Sequence, residues 1–319
     1  MDTIVYPVLT GNRLDLDQPY HWFSQLDPAG CQTDNAQASP SGRWVVLEYN
    51  CEDTFFIRLF DSTSQQLPLT LERGFFLDWS LDSDWFLFQP IDQEQVQLIS
   101  TTGHEQRALN LPFGTYQAVF APDGQTIVYV ANHGLGFGSE IGTLNLSSGY
   151  RTIWREYPDQ IVGSPRWSSD GRYLAYVLMP DSNIPYTVGE LWLADANGHP
   201  INKVDQIDAG HGYPPVWSPD GQTLAYIRRE NPGSVLANHL PQALYSNIYQ
   251  VDIKTNRITQ RTHFQANQVY DIAWAPGGEQ LAFTVDSGIW IAPAGDQPYQ
   301  VSPAGVIARH PVWLFFATP

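Results

Sequence analysis

Val216-Trp217-Ser218-Pro219-Asp220-Gly221-Gln222-Thr223-Leu224-Ala225-Tyr226 is the stretch on which the fold is decided, because recognisable copies of it recur along the chain. Proline presets φ at the start of a turn, aspartate bonds backbone amides within it, and glycine accepts the positive φ that closes it. The aromatic ahead of the turn is suited to packing between neighbouring sheets, and the run that follows, Leu224-Ala225-Tyr226-Ile227, has strand composition. The stretch therefore predicts a hairpin: strand, tight turn, strand.

The copies are Ala38-Ser39-Pro40-Ser41-Gly42, Trp79-Ser80-Leu81-Asp82-Ser83, Phe120-Ala121-Pro122-Asp123-Gly124, Trp167-Ser168-Ser169-Asp170-Gly171 and Trp274-Ala275-Pro276-Gly277-Gly278. Each leads into an apolar run, and beyond most of them lies a third short strand such as Phe55-Phe56-Ile57-Arg58-Leu59-Phe60 or Glu190-Leu191-Trp192-Leu193-Ala194. A fourth precedes the next copy. Four short antiparallel strands every ~40–50 residues are the signature of propeller blades. Asp123, Asp170 and Asp220 invite a catalytic reading, but their recurrence inside the turn assigns them to the turn.

The repeated W-S-P-D-G-x-x-L-A-Y/F pattern resembles the TolB-like propeller repeats, related in plan to WD-type propellers, and it covers most of the chain. The resemblance implies a β-propeller but not one function. Such propellers serve as periplasmic binding proteins, as gating domains in front of serine peptidases and, in a few cases, as metal-dependent lyases. No residues remain for an α/β-hydrolase domain, so residues 1–319 are expected to form a single β-propeller domain.

A seventh, truncated copy, His310-Pro311-Val312-Trp313-Leu314-Phe315-Phe316, ends the chain. The expectation is an all-β propeller of seven four-stranded antiparallel blades, the last closed by the N- and C-terminal strands together. The C-terminal strand would lie innermost and residues 3–17 would supply outer strands, which removes two exposed sheet edges. Six blades plus an N-terminal extension is the alternative.

Bulk properties narrow the function. Charge is −17, from 16 Lys and Arg against 33 Asp and Glu, with lysine only at Lys203 and Lys254. A nucleic-acid backbone is excluded as a partner, since phosphate binding needs a basic face. Hydrophobic content of 43% with 11 Trp, 16 Tyr and 15 Phe supplies a core, and no run approaches the roughly 18 apolar residues of a membrane helix. Residues 1–20 lack a secretory signal pattern.

Cys31 and Cys51 are equidistant from Ser41 at the centre of the first turn, so in a simple hairpin they face each other across two inner strands. A disulfide follows if the register permits, two buried thiols being the alternative. A disulfide implies a periplasmic or extracellular compartment, with a mature domain lacking its signal; without it the cytoplasm remains open.

Local motifs offer little chemistry. There is no G-x-S-x-G, H-E-x-x-H or C-x-x-C, and Gly134-Leu135-Gly136-Phe137-Gly138-Ser139 reads as a flexible loop. Asp78, Asp82 and Asp84 straddle a turn without a calcium-loop pattern. Asn145-Leu146-Ser147 is a glycosylation sequon, of consequence only in a glycosylating host.

The fold itself supplies a constellation. Residues three and four before each anchor aromatic enter the innermost strand and should ring one mouth of the central channel: Asp34 and Asn35, Phe75 and Phe76, Tyr116 and Gln117, Gly163 and Ser164, Tyr213 and Pro214, Tyr270 and Asp271, Arg309 and His310, with His211 nearby. Tyrosines, amides, carboxylates and an Arg-His pair make a small-ligand or peptide site. Residues 131–140, 179–189 and 229–246 are candidate rim loops. The sequence thus predicts a non-catalytic binding or scaffolding propeller, without a cofactor, that holds a protein, peptide or glycan at the mouth. The alternative is a metal-dependent lyase or hydrolase acting on an oligosaccharide, with His310, His211, Gln117 and Asp271 around a divalent metal.

Overall fold

The computed structural model describes residues 2–6, 20–22, 31–52, 54–64, 66–93, 95–210, 213–303 and 307–315. The chain is an all-β propeller of four-stranded antiparallel blades, each a meander of consecutive strands.

Strands β1 (Asp2–Tyr6) and β2 (Tyr20–Trp22) precede the first blade. Blade 1 comprises β3 (Cys31–Ala38), β4 (Trp44–Cys51), β5 (Phe55–Asp61) and β6 (Gln66–Glu72). Blade 2 comprises β7 (Gly74–Trp79), β8 (Trp85–Pro90), β9 (Gln97–Ser100) and β10 (Gln106–Ala108). Blade 3 comprises β11 (Thr115–Phe120), β12 (Thr126–Asn132), β13 (Ser139–Asn145) and β14 (Arg151–Tyr157), and blade 4 β15 (Gln160–Trp167), β16 (Tyr173–Pro180), β17 (Val188–Asp195) and β18 (Pro200–Asp208). Blade 5 runs β19 (Val216–Trp217), β20 (Thr223–Arg229), β21 (Ser246–Asp252), β22 (Arg257–Gln260), and blade 6 β23 (Val269–Trp274), β24 (Gln280–Val285), β25 (Gly288–Pro293), β26 (Tyr299–Gln300). The last strand is β27 (Val312–Phe315).

Six blades have four strands, which corrects the expected count of seven in favour of the alternative. The termini do share a sheet, of order β2-β1-β27, but it holds three strands. Strand β27 pairs antiparallel with β1, whereas β2 joins β1 in parallel, so the terminal segments do not form a hairpin meander. Residues 3–17 contribute β1 only within the described residues, and the remaining strand begins at Tyr20.

The repeated turn has the predicted chemistry. Ser218 N–H donates to Thr223 O at 2.8 Å and Gly221 N–H to Ser218 O at 2.9 Å, with Gly221 at φ 68°. Asp220 Oδ1 accepts the Ser218 hydroxyl at 2.6 Å and the Gln222 amide at 3.0 Å. Those two bonds hold its carboxyl below the ordinary value. Asp170 bonds Ser168 and Arg172, and Asp123 bonds Gln125 and Thr126, in the same way.

The chain divides into two compact units, Met1–Asn110 with Ala273–Pro319, and Leu111–Ile272. In the first, Val46, Ile57 and Leu59 of blade 1 pack on Phe76, Trp79, Phe86 and Phe88 of blade 2. In the second, Val119, Val128, Val130 and Ile141 of blade 3 meet Val162, Leu174, Tyr176 and Leu178 of blade 4. The anchor indoles add a directional bond: Trp79 donates to Gln37 O at 3.3 Å, Trp217 to Arg166 O at 2.9 Å and Trp313 to Ala273 O at 3.2 Å. In each of these three the acceptor is the residue just before the anchor position of the preceding copy, so the indole packs against one neighbouring strand and satisfies its donor there, whereas the buried Nε1 of Trp167 finds no partner among the described residues.

Cys31 and Cys51 are disulfide-bonded. They face each other because of a β-bulge between Thr33 and Asn35: Ala38 pairs with Val45 and Asn35 with Glu48, and the extra residue then brings Cys31 opposite Cys51.

Candidate functional site

The innermost strands of blades 3 and 4 are irregular, β11 at its start and β15 in its second half. Strand β11 shifts register between Thr115 and Gln117, and β15 between Gly163 and Arg166. Each irregularity lies just ahead of the anchor aromatic and re-aims the side chains there. Non-glycine residues with positive φ occur at the same repeat position three times: Ser164 at 51°, Asp271 at 43° and His310 at 52°. Such backbone costs ~1–3 kcal/mol and persists only where surrounding structure holds it.

Within the second unit these irregularities open a cavity of about 350 Å³ lined by Tyr116, Gln117, Ile161, Gly163, Ser164, Val177, Met179, Asp208, Ala209, Gly210 and Tyr213. Five of these, Tyr116, Gln117, Gly163, Ser164 and Tyr213, come from the predicted mouth positions. Gln117 Oε1 accepts the Ser164 backbone N–H at 2.6 Å, which ties blade 3 to the left-handed residue of blade 4. The Tyr116 hydroxyl donates to Val162 O, and burial pushes its phenol above the ordinary value. Tyr213 stands edge-on to Tyr270 with ring centroids 5.4 Å apart, and the Tyr270 hydroxyl meets Gln268 Oε1 at 2.5 Å.

Other predicted residues sit elsewhere. In the first unit Asn35 Nδ2 donates to Glu48 Oε2 at 2.6 Å and the Phe76 amide to Glu48 Oε1 at 3.0 Å. The Phe76 ring is 5% exposed and packs with Trp79 and Phe86 in the core, while Phe75 is exposed beside Phe55. Arg309 is exposed and His310 half-buried in that unit. His211 and the side chain of Asp34 lie outside the described residues.

Residues that the repeat pattern did not reveal complete the cavity. Asp208 at the end of β18 pairs with Arg229 Nη2 at 3.0 Å, both side chains being essentially inaccessible. Arg229 also donates to Tyr186 O at 2.8 Å and Asn238 Oδ1 at 2.9 Å, thereby joining two of the predicted rim loops. A third, residues 133–138, is held when Gly136 and Gly138 each donate an amide to Asp181 Oδ2 at 2.8 Å. The Gly-rich loop is thus an anchored rim rather than a free one. The rim loops were legible as insertions, Met179 at the start of one of them; Asp208 carries no sequence signal because it comes from the end of an outer strand.

A second cavity of about 360 Å³ lies at the anchor-turn end of blades 3 and 4, among Pro122, Asp123, Trp154, Trp167 and Asp170. Its carboxylates are spent on turn hydrogen bonds.

The donor set of the first cavity does not suit a divalent ion. Gln117 Oε1, the oxygen a metal would need, already accepts Ser164 N–H, and Asp208 is ion-paired. Among the described residues no group of three or more His, Cys, Asp and Glu comes together.

No protein-family model matches the chain. The peptidase YuxL of Bacillus subtilis, itself described as uncharacterised, is 23% identical over 195 residues, which span 52% of this chain and 29% of that protein. The chain thus corresponds to under a third of that relative. The oligogalacturonate lyase of Vibrio parahaemolyticus superposes with a TM-score of 0.59 at 12% identity, covering 88% of this chain and 81% of the lyase. A TolB from Agrobacterium tumefaciens, described as putative, gives 0.50 at 15% identity, over 74% and 83% of the two chains. Likeness at such identities establishes the propeller fold and nothing of its chemistry. Among the described residues no helix is long and apolar enough to cross a membrane.

Proposed function

We propose that this chain is a TolB-like binding or scaffolding propeller, one domain over residues 1–319, that holds a protein, peptide or glycan at the starts of its innermost strands without catalysing a reaction on it. The observation that carries the reading is the convergence of Tyr116, Gln117, Ser164 and Tyr213 on one cavity, under rim loops fixed by Asp181 and Arg229. A cavity of this size with aromatic walls and few polar groups has the makeup of a ligand site. Of the remaining predicted residues, Tyr270 and Asp271 belong to the same unit as the cavity, Asn35, Phe76, Arg309 and His310 belong to the other, and His211 lies outside the described residues. The Cys31–Cys51 disulfide supports a periplasmic or extracellular location, where such bonds persist.

The test is capture of partners from the envelope fraction of the source organism, quantified for wild type and for Tyr213→Ala with Tyr270→Ala. A defined partner lost by at least tenfold in the double variant supports the reading; a partner retained at full strength by a folded double variant overturns it.

The second reading, a metal-dependent lyase or hydrolase of an oligosaccharide, rests on fold likeness to the Vibrio lyase. Of its candidate ligands His310, His211, Gln117 and Asp271, Gln117 has its oxygen on the Ser164 amide and His211 lies outside the described residues. Elemental analysis separates the two: a stoichiometric divalent ion, with thermal stability lost to a chelator, would favour the enzyme.

A further inference from the structure

The cavity has polar groups that its own fold does not use. Ser164 is 7% exposed, and nothing among the described residues bonds its hydroxyl, although that residue lines the cavity. Gln117 points Oε1 at the Ser164 amide, which leaves its Nε2 donor without a partner among the described residues. The cavity thus presents a hydroxyl and an amide donor that no side chain or backbone group among the described residues engages, beside a backbone held at φ 51°.

The rest of the lining is apolar or neutralised. Tyr116, Ile161, Val177, Met179, Ala209 and Tyr213 supply the walls, and the carboxylate of Asp208 is matched by Arg229. Gly163 leaves room that a side chain would fill, since a Cβ there would come within 3.2 Å of the Met179 methyl. The adaptable thioether of Met179 can adjust to the shape of an apolar group.

We infer that this cavity takes one uncharged apolar residue of a peptide and that Ser164 Oγ and Gln117 Nε2 hold that residue's carbonyl oxygen. The inference rests on the proposed binding function of this face and names its ligand class. Two adjacent donors match the two lone pairs of one carbonyl. A sugar ring would bury several hydroxyls against largely apolar walls, and each hydroxyl left unpaired would cost affinity. A lysine or arginine side chain would meet a carboxylate already paired. Beyond the cavity, Leu135 and Phe137 stand 66% and 72% exposed on the loop that Asp181 holds, two residues from cavity-lining Met179. The peptide would continue over that loop.

The test is a ligand-observed NMR titration of the whole chain with N-acetyl-phenylalanine methylamide, N-acetyl-lysine methylamide and cellobiose, in wild type, Ser164→Gly and Gln117→Ala. Glycine keeps the left-handed backbone while removing the hydroxyl, so that variant folds with unchanged or raised thermal stability. The expected result is millimolar binding of the phenylalanine probe alone, weakened about tenfold in each variant, the loss of roughly one hydrogen bond. Equal binding by wild type and both variants would overturn the carbonyl assignment. Binding of cellobiose, weakened in Ser164→Gly, would overturn the peptide class while leaving the face as the binding site. Binding of no probe, with partner capture still lost in the tyrosine variants, would likewise overturn the class alone. Probe binding as expected, with capture unaffected by those variants, would instead sink the proposed function of the face and leave the pocket's chemistry standing.

Discussion

At single residues, polar side chains in this chain divide between those the fold consumes and those it leaves over. Asp220, Asp170 and Asp123 are consumed by their turns, and Asp61 by Arg43 and Thr63. Asp61 shows what that consumption does to stability. Burial alone would raise its pKa, but the bonds from Arg43 and Thr63 prevail and hold it far below the ordinary carboxylate range. A depressed folded pKa contributes stability that is fully present above the unfolded value, near 3.9, and is lost as pH falls through the folded one. Asp61→Asn should therefore cost about 1–2 kcal/mol at pH 7. In urea melts, that difference should persist down to about pH 5, then shrink as the pH falls below about 4. A difference that grew on acidification would contradict the assignment. Ser164 and Gln117 are the opposite case, polar groups left over, and for that reason they carry the ligand inference.

Among strands and loops, bulges matter more than the regular ladder. The bulge in β3 is what makes a simple count from Ser41 succeed for the disulfide, and those in β11 and β15 turn Gln117 and Ser164 into the cavity. In β7 the shift falls later, between Phe76 and Asp78, and the Phe76 ring is committed to the core. Counting back from the anchor placed Tyr116 and Gln117 in β11, Gly163 and Ser164 inside β15 and Tyr213 ahead of β19, but it could not say which side chain the local bulge would expose. The loops were legible as insertions, whereas their fixation by Arg229 was not, since Asp208, Tyr186 and Asn238 are brought to it only by the fold. Arg229→Leu should remove the guanidinium that Asp208 pairs with in a buried site and cost about 3–5 kcal/mol, with Asp208→Asn recovering part of the loss. Limited proteolysis should then cut within residues 181–187 or 230–245 before global unfolding. An unaltered digestion pattern would show that the pair does not hold the rim.

For the whole molecule, the repeat made the blade plan legible because each turn needs the same few residues. The blade count was less legible because the last copy of the anchor has no hairpin partner of its own. Trp313 docks on Ala273 as Trp217 docks on Arg166, yet the strands beside it come from the N-terminal segment and one is parallel. The disulfide closes the first inner hairpin, its cysteines separated by 20 positions in sequence. Its reduction should cost about 2–4 kcal/mol, read as a lower melting temperature in reductant that Cys31→Ser with Cys51→Ser reproduces.

The account turns on one place being occupied by ligand. Met1 and Met179 are the only methionines, and Met179 lines the cavity, so a ¹³C-methyl methionine spectrum watches that place directly. Adding N-acetyl-phenylalanine methylamide should shift the Met179 signal progressively through the ring current of the bound aromatic and leave Met1 unmoved, with the shift suppressed in Ser164→Gly. A probe that binds the protein while the Met179 signal stays where it was would contradict the account.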